Sequence, residues 1–306
     1  MILVTGGLGM IGAHTARALA DLGHEVVVTA HRRTEVPSFL AGRVTVEPLD
    51  VTDRTAFLAL AGRHDITAVV HLAGGVPGED PICFLRTETI GLLNALAVAR
   101  TRGVRRFAVA SSIGVYAGRP ETRWHEDLAL PAAELPHLIV AFKKAVEPLT
   151  THGLRGSGVQ PVLLRIGTIW GPLGDPESPF FPIPSCISAV LRGEEPRPLH
   201  ADDGGDRCYA PDAGRAIAHL MTADTLRHDT YNVSSGRPVA NREFADALRA
   251  VVPGLRFDLL PGRRDGPGAD PYLDTTRLTR DTGFAPAFDV ATAVADYVAW
   301  RVGNPR

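Results

Sequence analysis

The opening stretch Met1-Ile2-Leu3-Val4-Thr5-Gly6-Gly7-Leu8-Gly9-Met10-Ile11-Gly12 decides the fold. A short apolar run ends at Thr5, glycines crowd the positions that follow, and an apolar helical pattern begins at Ile11 without a linker. The glycines satisfy Gly6-x-x-Gly9-x-x-Gly12 and also Gly7-x-Gly9-x-x-Gly12. Between a strand and a helix, such a loop turns tightly and lets the backbone approach a pyrophosphate, which then rests on the positive end of the helix. Gly6, Gly9, Met10, Ile11 and Gly12 are therefore candidates for holding a dinucleotide.

Downstream, β-rich runs at Met1–Thr5, Glu25–Thr29, Val44–Pro48, Ala68–Leu72, Arg106–Ser111 and Pro161–Arg165 alternate with helical patterns near Ile11–Leu22, Thr52–Gly62, Phe84–Arg102 and Leu138–Leu149. This alternation predicts an α/β fold, a Rossmann-type doubly wound parallel sheet. From Trp170 to Ala210 proline and glycine cluster around one short helix, which predicts an insertion over the sheet edge. A helix at Asp212–Ala223, a strand at Thr230–Val233, a helix near Arg242 and a last helix at Val290–Arg301 follow, with a Gly/Pro/charge loop at Pro261–Pro271. The division predicted is a dinucleotide-binding domain, 1–170 rejoined by 212–234, and a smaller C-terminal substrate-binding subdomain made of 171–211 and 235–306.

The chain has 306 residues, 45% hydrophobic and 22% charged, with a net charge of −2. Near-neutral charge leaves no basic footprint for nucleic acid or anionic lipid. Cys83, Cys186 and Cys208 are odd in number and widely spaced, which argues against a disulfide framework or a zinc site. No apolar run is read as reaching the roughly 18 residues of a membrane span, and no leader precedes the first strand, so a cytoplasmic location without a membrane partner is expected. All but two of the 32 Lys and Arg residues are arginine, and the two, Lys143 and Lys144, are adjacent.

Proteins selective for NAD carry a carboxylate at the end of the second strand, where it holds the ribose hydroxyls. Here Ala30 takes that place, followed by His31, Arg32 and Arg33. With no carboxylate to repel a 2′-phosphate and guanidinium groups able to clamp one, NADP is expected over NAD.

Further motifs join the glycine loop: Leu49-Asp50-Val51-Thr52-Asp53, His71-Leu72-Ala73-Gly74, Ser111-Ser112-Ile113-Gly114-Val115-Tyr116 and Arg165-Ile166-Gly167-Thr168-Ile169-Trp170-Gly171-Pro172. Tyr231-Asn232-Val233-Ser234-Ser235-Gly236 and Asp274-Thr275-Thr276-Arg277-Leu278 complete the set. In these the sequence resembles, over nearly its whole length, the extended short-chain dehydrogenase/reductases of the NAD-dependent epimerase/dehydratase group. The resemblance implies that Asp50 and Val51 flank an adenine and that Leu72, Ala73 and Gly74 line the path of phosphates and ribose. It implies that Ser112 hydrogen-bonds a substrate oxygen and that Lys143 is the lysine of a Tyr-x-x-x-Lys motif, accompanied by Glu147. It also implies a homodimer built through a four-helix interface.

Hydride cannot leave an alcohol carbon, or join a carbonyl, unless a proton moves at the oxygen, and a Tyr beside a Lys normally performs that task. Four residues before Lys143, on the same helical face, stands Ile139; four before Lys144 stands Val140. The tyrosine is missing in either register. Glu88 replaces an asparagine three residues before Gly91, and Pro148 inside the helix predicts a kink or an early end. Tyr116 is the candidate surrogate acid, with Glu88 and His137 weaker ones. Thr168 and Gly205-Asp206-Arg207 depart from nucleotide-sugar relatives, and Trp170, Phe180 and Phe181 offer an aromatic cap wall or a cap core. The leading expectation is an NADP-dependent enzyme acting on a small hydroxy or keto metabolite rather than a nucleotide sugar. A non-redox isomerase, lyase or cyclase, and an inactive NADP-sensing protein, are the alternatives.

Overall fold

The computed structural model describes residues 1–178, 181–265, 268 and 270–305. Seven parallel strands form the central sheet: β1 (Ile2–Thr5), β2 (Val26–Ala30), β3 (Thr45–Pro48), β4 (Ala68–His71), β5 (Arg106–Ser112), β6 (Gln160–Ile166) and β7 (Thr230–Val233). Their spatial order is β7-β6-β5-β4-β1-β2-β3. The chain starts in the middle, winds out to β3 and returns to β4, so strand order reverses between β1 and β4. A crevice opens beyond the carboxyl ends of the strands at such a reversal.

The helices are α1 (Met10–Asp21), α2 (Arg54–Arg63), α3 (Pro81–Arg102), α4 (Leu138–Gly153), α5 (Ile183–Leu191), α6 (Ala210–Thr222), α7 (Asn241–Val251), α8 (Thr276–Thr282) and α9 (Val290–Gly303). The inner strands show both faces to apolar neighbours, whereas the edge strand β3 is largely exposed. Ile2, Val4, Val26 and Val28 pack toward α1 and α6, whereas Leu3 and Val27 point into the core shared with α2, α3 and α4. Burying each such side chain contributes about 1.5–3 kcal/mol, which anchors the strand ends that carry the crevice. The third core belongs to the smaller lobe: Trp170, Phe181, Tyr209, Phe244 and Tyr297 pack their rings together. Trp170 and Phe181 are thus cap core and not a free aromatic wall, and Phe180 lies outside the described residues.

Two expectations are corrected. Helix α4 does not end early but runs through Pro148 to Gly153. Pro148 itself is exposed, while Val146, Glu147 and Thr150 beside it are buried, so packing on the inner face offsets the amide hydrogen bond that proline removes. Helix α3, at 22 residues with a window of mean hydropathy 1.4, does meet the length and composition of a membrane span. Half of that window is buried inside the protein, where Leu92, Ala95, Leu96, Val98 and Ala99 pack in the α2–α4 core.

Candidate active site

Steric exclusion shapes the loop between β1 and α1. Gly6 has φ +66°, and a Cβ there would lie 2.8 Å from the Ala73 nitrogen; at Gly12 it would lie 2.2 Å from the Gly6 carbonyl oxygen. Neither position accepts a side chain without opening the turn, which is closed by the Gly9 N–H donating to the Gly6 carbonyl at 3.0 Å. Helix α1 starts directly above with Gly9 at its cap and no side chain bonded to its first amides. Those amides and the helix dipole are left to receive an anion.

The loop forms one wall of a 670 Å³ cavity, a volume suited to a cofactor. Gly6, Leu8 and Gly9 line it, with Ala30, His31, Arg32 and Arg33 after β2, Asp50 and Val51 after β3, and Leu72, Ala73 and Gly74 after β4. Chain segments far apart in sequence thus bring these expected residues into one cleft. Met10, Ile11 and Gly12 stand outside its wall: Ile11 packs into the core, and Gly12 acts by holding the turn. Asp50 accepts from the Thr52 amide at 2.9 Å and hydroxyl at 2.8 Å, which holds its carboxyl below the usual carboxylate range, helped by His31 at 3.7 Å. Arg33 donates to the Leu8 carbonyl at 3.2 Å and so ties the end of β2 to the glycine loop. The glycine cradle, the open helix amides and the cleft length all fit a dinucleotide.

Beside this cleft lies a second cluster at the carboxyl ends of β4 and β5. Lys143 Nζ donates to the Ala110 carbonyl at 2.8 Å, and burial lowers its pKa against the opposing pull of Glu88. Ser112 Oγ accepts from the Gly114 amide at 3.0 Å. His71 Nδ1 lies 2.8 Å from Thr5 Oγ1, and full burial takes its pKa down to about 3, so the ring is neutral. Ile139 is packed against the α2–α4 core and offers no proton. Glu88 Oε1 accepts from the Gly75 amide at 2.9 Å, and its carboxylate stands 3.0 Å from where a Gly74 Cβ would be. Burial raises the Glu88 pKa, opposed by Lys143 and the Gly75 amide.

Tyr116 is not the surrogate acid. It is wholly buried, donates to Asn232 Oδ1 at 2.9 Å, accepts from Arg165 Nη1 at 2.9 Å, and burial pushes its pKa up to about 12. A phenol with both hydrogen-bonding roles filled inside the core has no path to a substrate. Glu147 belongs to the same frame: it pairs bidentately with Arg165 at 3.0 and 2.9 Å and accepts from Ser111 Oγ at 2.6 Å. His137 is the exposed cap residue of α4. Lys144, without a role in the sequence, pins the segment before α4 by donating to the Pro131 carbonyl and, at 2.6 Å, to that of Glu134.

Sequence reasoning missed Thr29, which accepts from the Gly6 amide at 3.3 Å, and Gly75, which anchors Glu88. The Thr5–His71 pair was missed as well. None carries a local pattern; only the alternation of β2, which turns Thr29 toward the loop, offered a signal.

The fold and cleft define a doubly wound dinucleotide-binding enzyme. The model of the NAD dependent epimerase/dehydratase family matches residues 2–234, and the chain belongs to that family. Among its relatives is a dTDP-glucose 4,6-dehydratase of Streptomyces griseus, 29% identical, covering 98% of this chain and 93% of the relative. A UDP-glucose 4-epimerase of Erwinia amylovora is 25% identical over 100% of this chain and 98% of its own. Among solved structures, a UDP-N-acetylglucosamine 4-epimerase from Methanobrevibacter ruminantium M1, in complex with UDP-N-acetylmuramic acid, superposes with TM-score 0.82 at 23% identity, over 98% and 97% of the two chains. A UDP-glucuronic acid 4-epimerase from Bacillus cereus in complex with NAD gives 0.80 at 18% identity, over 98% and 96%. The chain is an enzyme of the oxidoreductase/epimerase type with a nicotinamide dinucleotide cofactor. The relatives are named for nucleotide sugars, against the expectation of a smaller metabolite.

Arg207, displaced by two positions, folds its guanidinium back beside Gly205, with Nη1 3.3 Å from where a Gly205 Cβ would be. It stacks over Phe181 at 4.4 Å, and its Nε has no hydrogen-bond partner. Asp206 is fully buried and accepts from the Thr168 and Leu273 amides and Ser234 Oγ, so it holds the lobes together.

Proposed function

We propose that the protein is a dinucleotide-dependent epimerase or dehydratase acting on a nucleoside-diphosphate sugar through transient oxidation of a ring hydroxyl. The observation that carries this reading is the glycine-cradled cleft with Lys143 of α4 acting electrostatically on His71 and Glu88 of its wall, and Ser112 at the end of β5. Ser112 would orient the reacting oxygen, and Lys143 would hold the ribose nearest the redox end. Support for the substrate class comes from the relatives' names. NADP is the preferred cofactor in this reading, because Ala30 replaces the ribose-binding carboxylate while His31, Arg32 and Arg33 line that end of the cleft. The solved relative above carries NAD, so the ratio of the two affinities is the informative number.

The test is to mix the protein with NADP or NAD and with UDP-glucose or dTDP-glucose, and to analyse the sugar product. Inversion or dehydration that vanishes in Ser112→Ala supports the reading; an unchanged Ser112→Ala product, or no product with either sugar, contradicts it. A homodimer is part of the proposal, since Ile90 and Leu93 of α3 and Leu149 of α4 remain exposed apolar groups on neighbouring helices. Light scattering reads it directly: a mass twice that of the chain is expected, and a monomer contradicts it.

A further inference from the structure

We infer that Glu88, within the electrostatic reach of Lys143, performs the proton transfer that Ile139 cannot. This inference rests on the redox reading above and deepens it. Oxidation of a ring hydroxyl releases the carbon-bound hydrogen with its electron pair to the oxidised cofactor. The hydroxyl proton must leave at the same time, as the C=O bond forms. The reverse step returns both. A group is needed that holds one proton, reaches the cleft and titrates near neutrality.

The described polar side chains near the redox corner exclude one another until Glu88 remains. Tyr116 is locked in the core between Asn232 and Arg165. His71 is wholly buried against Thr5. Ser112 is a hydroxyl with no base hydrogen-bonded to it, its Oγ accepting from the Gly114 amide. Asp50 and Asp80 are occupied in capping the Thr52 and Ile82 amides.

Glu88 differs on three counts. It lines the cofactor cavity, its Oε1 is fixed by the Gly75 amide, and its other oxygen stays beside Gly74. It stands over the same strand ends as Lys143, which is anchored to the Ala110 carbonyl. Burial raises the pKa of the Glu88 carboxyl above the ordinary carboxylate range, opposed by the Lys143 ammonium and the Gly75 amide, which favours exchange of a proton at this carboxyl. The charge that acts on it is that of Lys143 from α4. His71 from β4, Asp80 and Cys83 from the start of α3, Asp50 after β3, and His31, Arg32 and Arg33 after β2 line the same cavity. The carboxylate is the base for alcohol oxidation and the carboxylic acid returns the proton on reduction, directly or through one water.

Stopped-flow measurement of cofactor reduction by UDP-glucose or dTDP-glucose is the first test. In the native chain the rate rises with pH through the raised Glu88 pKa. Glu88→Gln should slow it by about 10²–10⁴-fold and abolish that limb without weakening cofactor affinity, and Glu88→Asp should restore part of the rate. Adding Ile139→Tyr to Glu88→Gln should recover activity with a limb shifted to alkaline pH. A Glu88→Gln rate equal to the native one overturns the inference.

The second test needs no sugar. Glutamate labelled with carbon-13 reports the Glu88 carboxyl by difference from Glu88→Gln. Its pKa should stand above the ordinary carboxylate range and rise further when bound oxidised cofactor, whose nicotinamide is cationic, is replaced by the reduced form. Insensitivity to redox state overturns the inference. If neither sugar reduces the cofactor, the proposed function falls, and this titration alone decides for or against Glu88.

Discussion

The dinucleotide cleft and the proton-transfer corner adjoin each other at the same strand ends, yet they are specified in different ways. The cleft is backbone chemistry: Gly6 and Gly12 are there because any Cβ would meet Ala73 or Gly6 itself, and the anion is offered amides and a helix end. Such a site is spelled by one short stretch of sequence and tolerates a change of flanking side chains. The proton corner is side-chain chemistry, assembled from α3, β4, β5 and α4, and Ile139 offers it no proton. In the proposal above, the cofactor cleft is kept by the backbone while the acid–base group sits on another element, Glu88 of α3.

The frame under the corner gives the largest expected effect. Arg165→Met leaves Glu147 as an unpaired buried carboxylate, since Arg165 supplies its bidentate partner. Urea unfolding should show a loss of about 3–5 kcal/mol. The residual folded protein should still bind dinucleotide, because this frame does not touch the glycine loop. Loss of binding in parallel with stability would mean that the two regions are one unit.

Next comes the cleft itself. Gly12→Val forces a side chain into the Gly6 carbonyl, and a shift of about 1 Å in the cradle should weaken NADP binding by about a hundredfold. Fluorescence titration checks it, and unaltered binding would remove the glycine loop from the site.

Acid stability probes the buried imidazole between the regions. The folded pKa of His71 is about 3, below the 6.5 of an exposed histidine, so the unfolded chain takes up a proton first as pH falls. Stability is therefore full above about pH 6.5 and declines toward pH 3, by about 1.4 kcal/mol per pH unit for this group. His14, at about 4 and buried against Phe39, adds to the same slope over a shorter range. His71→Asn should remove one proton's share of the dependence in pH-resolved unfolding; an unchanged slope would contradict the buried neutral ring.

The smallest effect is expected at the ribose end. Arg32→Glu with Arg33→Glu should shift the NADP-to-NAD affinity ratio toward NAD by about tenfold, the size of one or two exposed charge contacts. Part of the Arg33 effect will come from its bond to the Leu8 carbonyl. A ratio that does not move would assign cofactor choice elsewhere.

Strand alternation, the glycine loop and the return of Thr230–Val233 to the sheet were legible because each is written in consecutive residues with a fixed period. So was the absence of a tyrosine at residue 139. What was not legible depends on packing between distant segments. Tyr116 reads as a free phenol in Gly-Val-Tyr, and only the arrival of Asn232 and Arg165 shows that it is locked. Arg207 reads as a displaced polar residue, and only the arrival of Phe181 shows that its guanidinium is stacked on an aromatic ring. Pro148 reads as a helix end until the burial of Val146, Glu147 and Thr150 holds the helix together. The run of α3 gains its buried face from the sheet behind it and from α2 and α4 beside it.

The most direct measurement joins both regions in one reaction. The protein is mixed in a single turnover with oxidised cofactor and a nucleotide sugar deuterated at the carbon that is to be oxidised, and the absorbance of reduced nicotinamide is followed. The account predicts a transient reduced cofactor, slowed by deuteration in the native chain and suppressed in Glu88→Gln while the cofactor stays bound. Sugar conversion with no reduced cofactor, or at equal rate in Glu88→Gln, would contradict it.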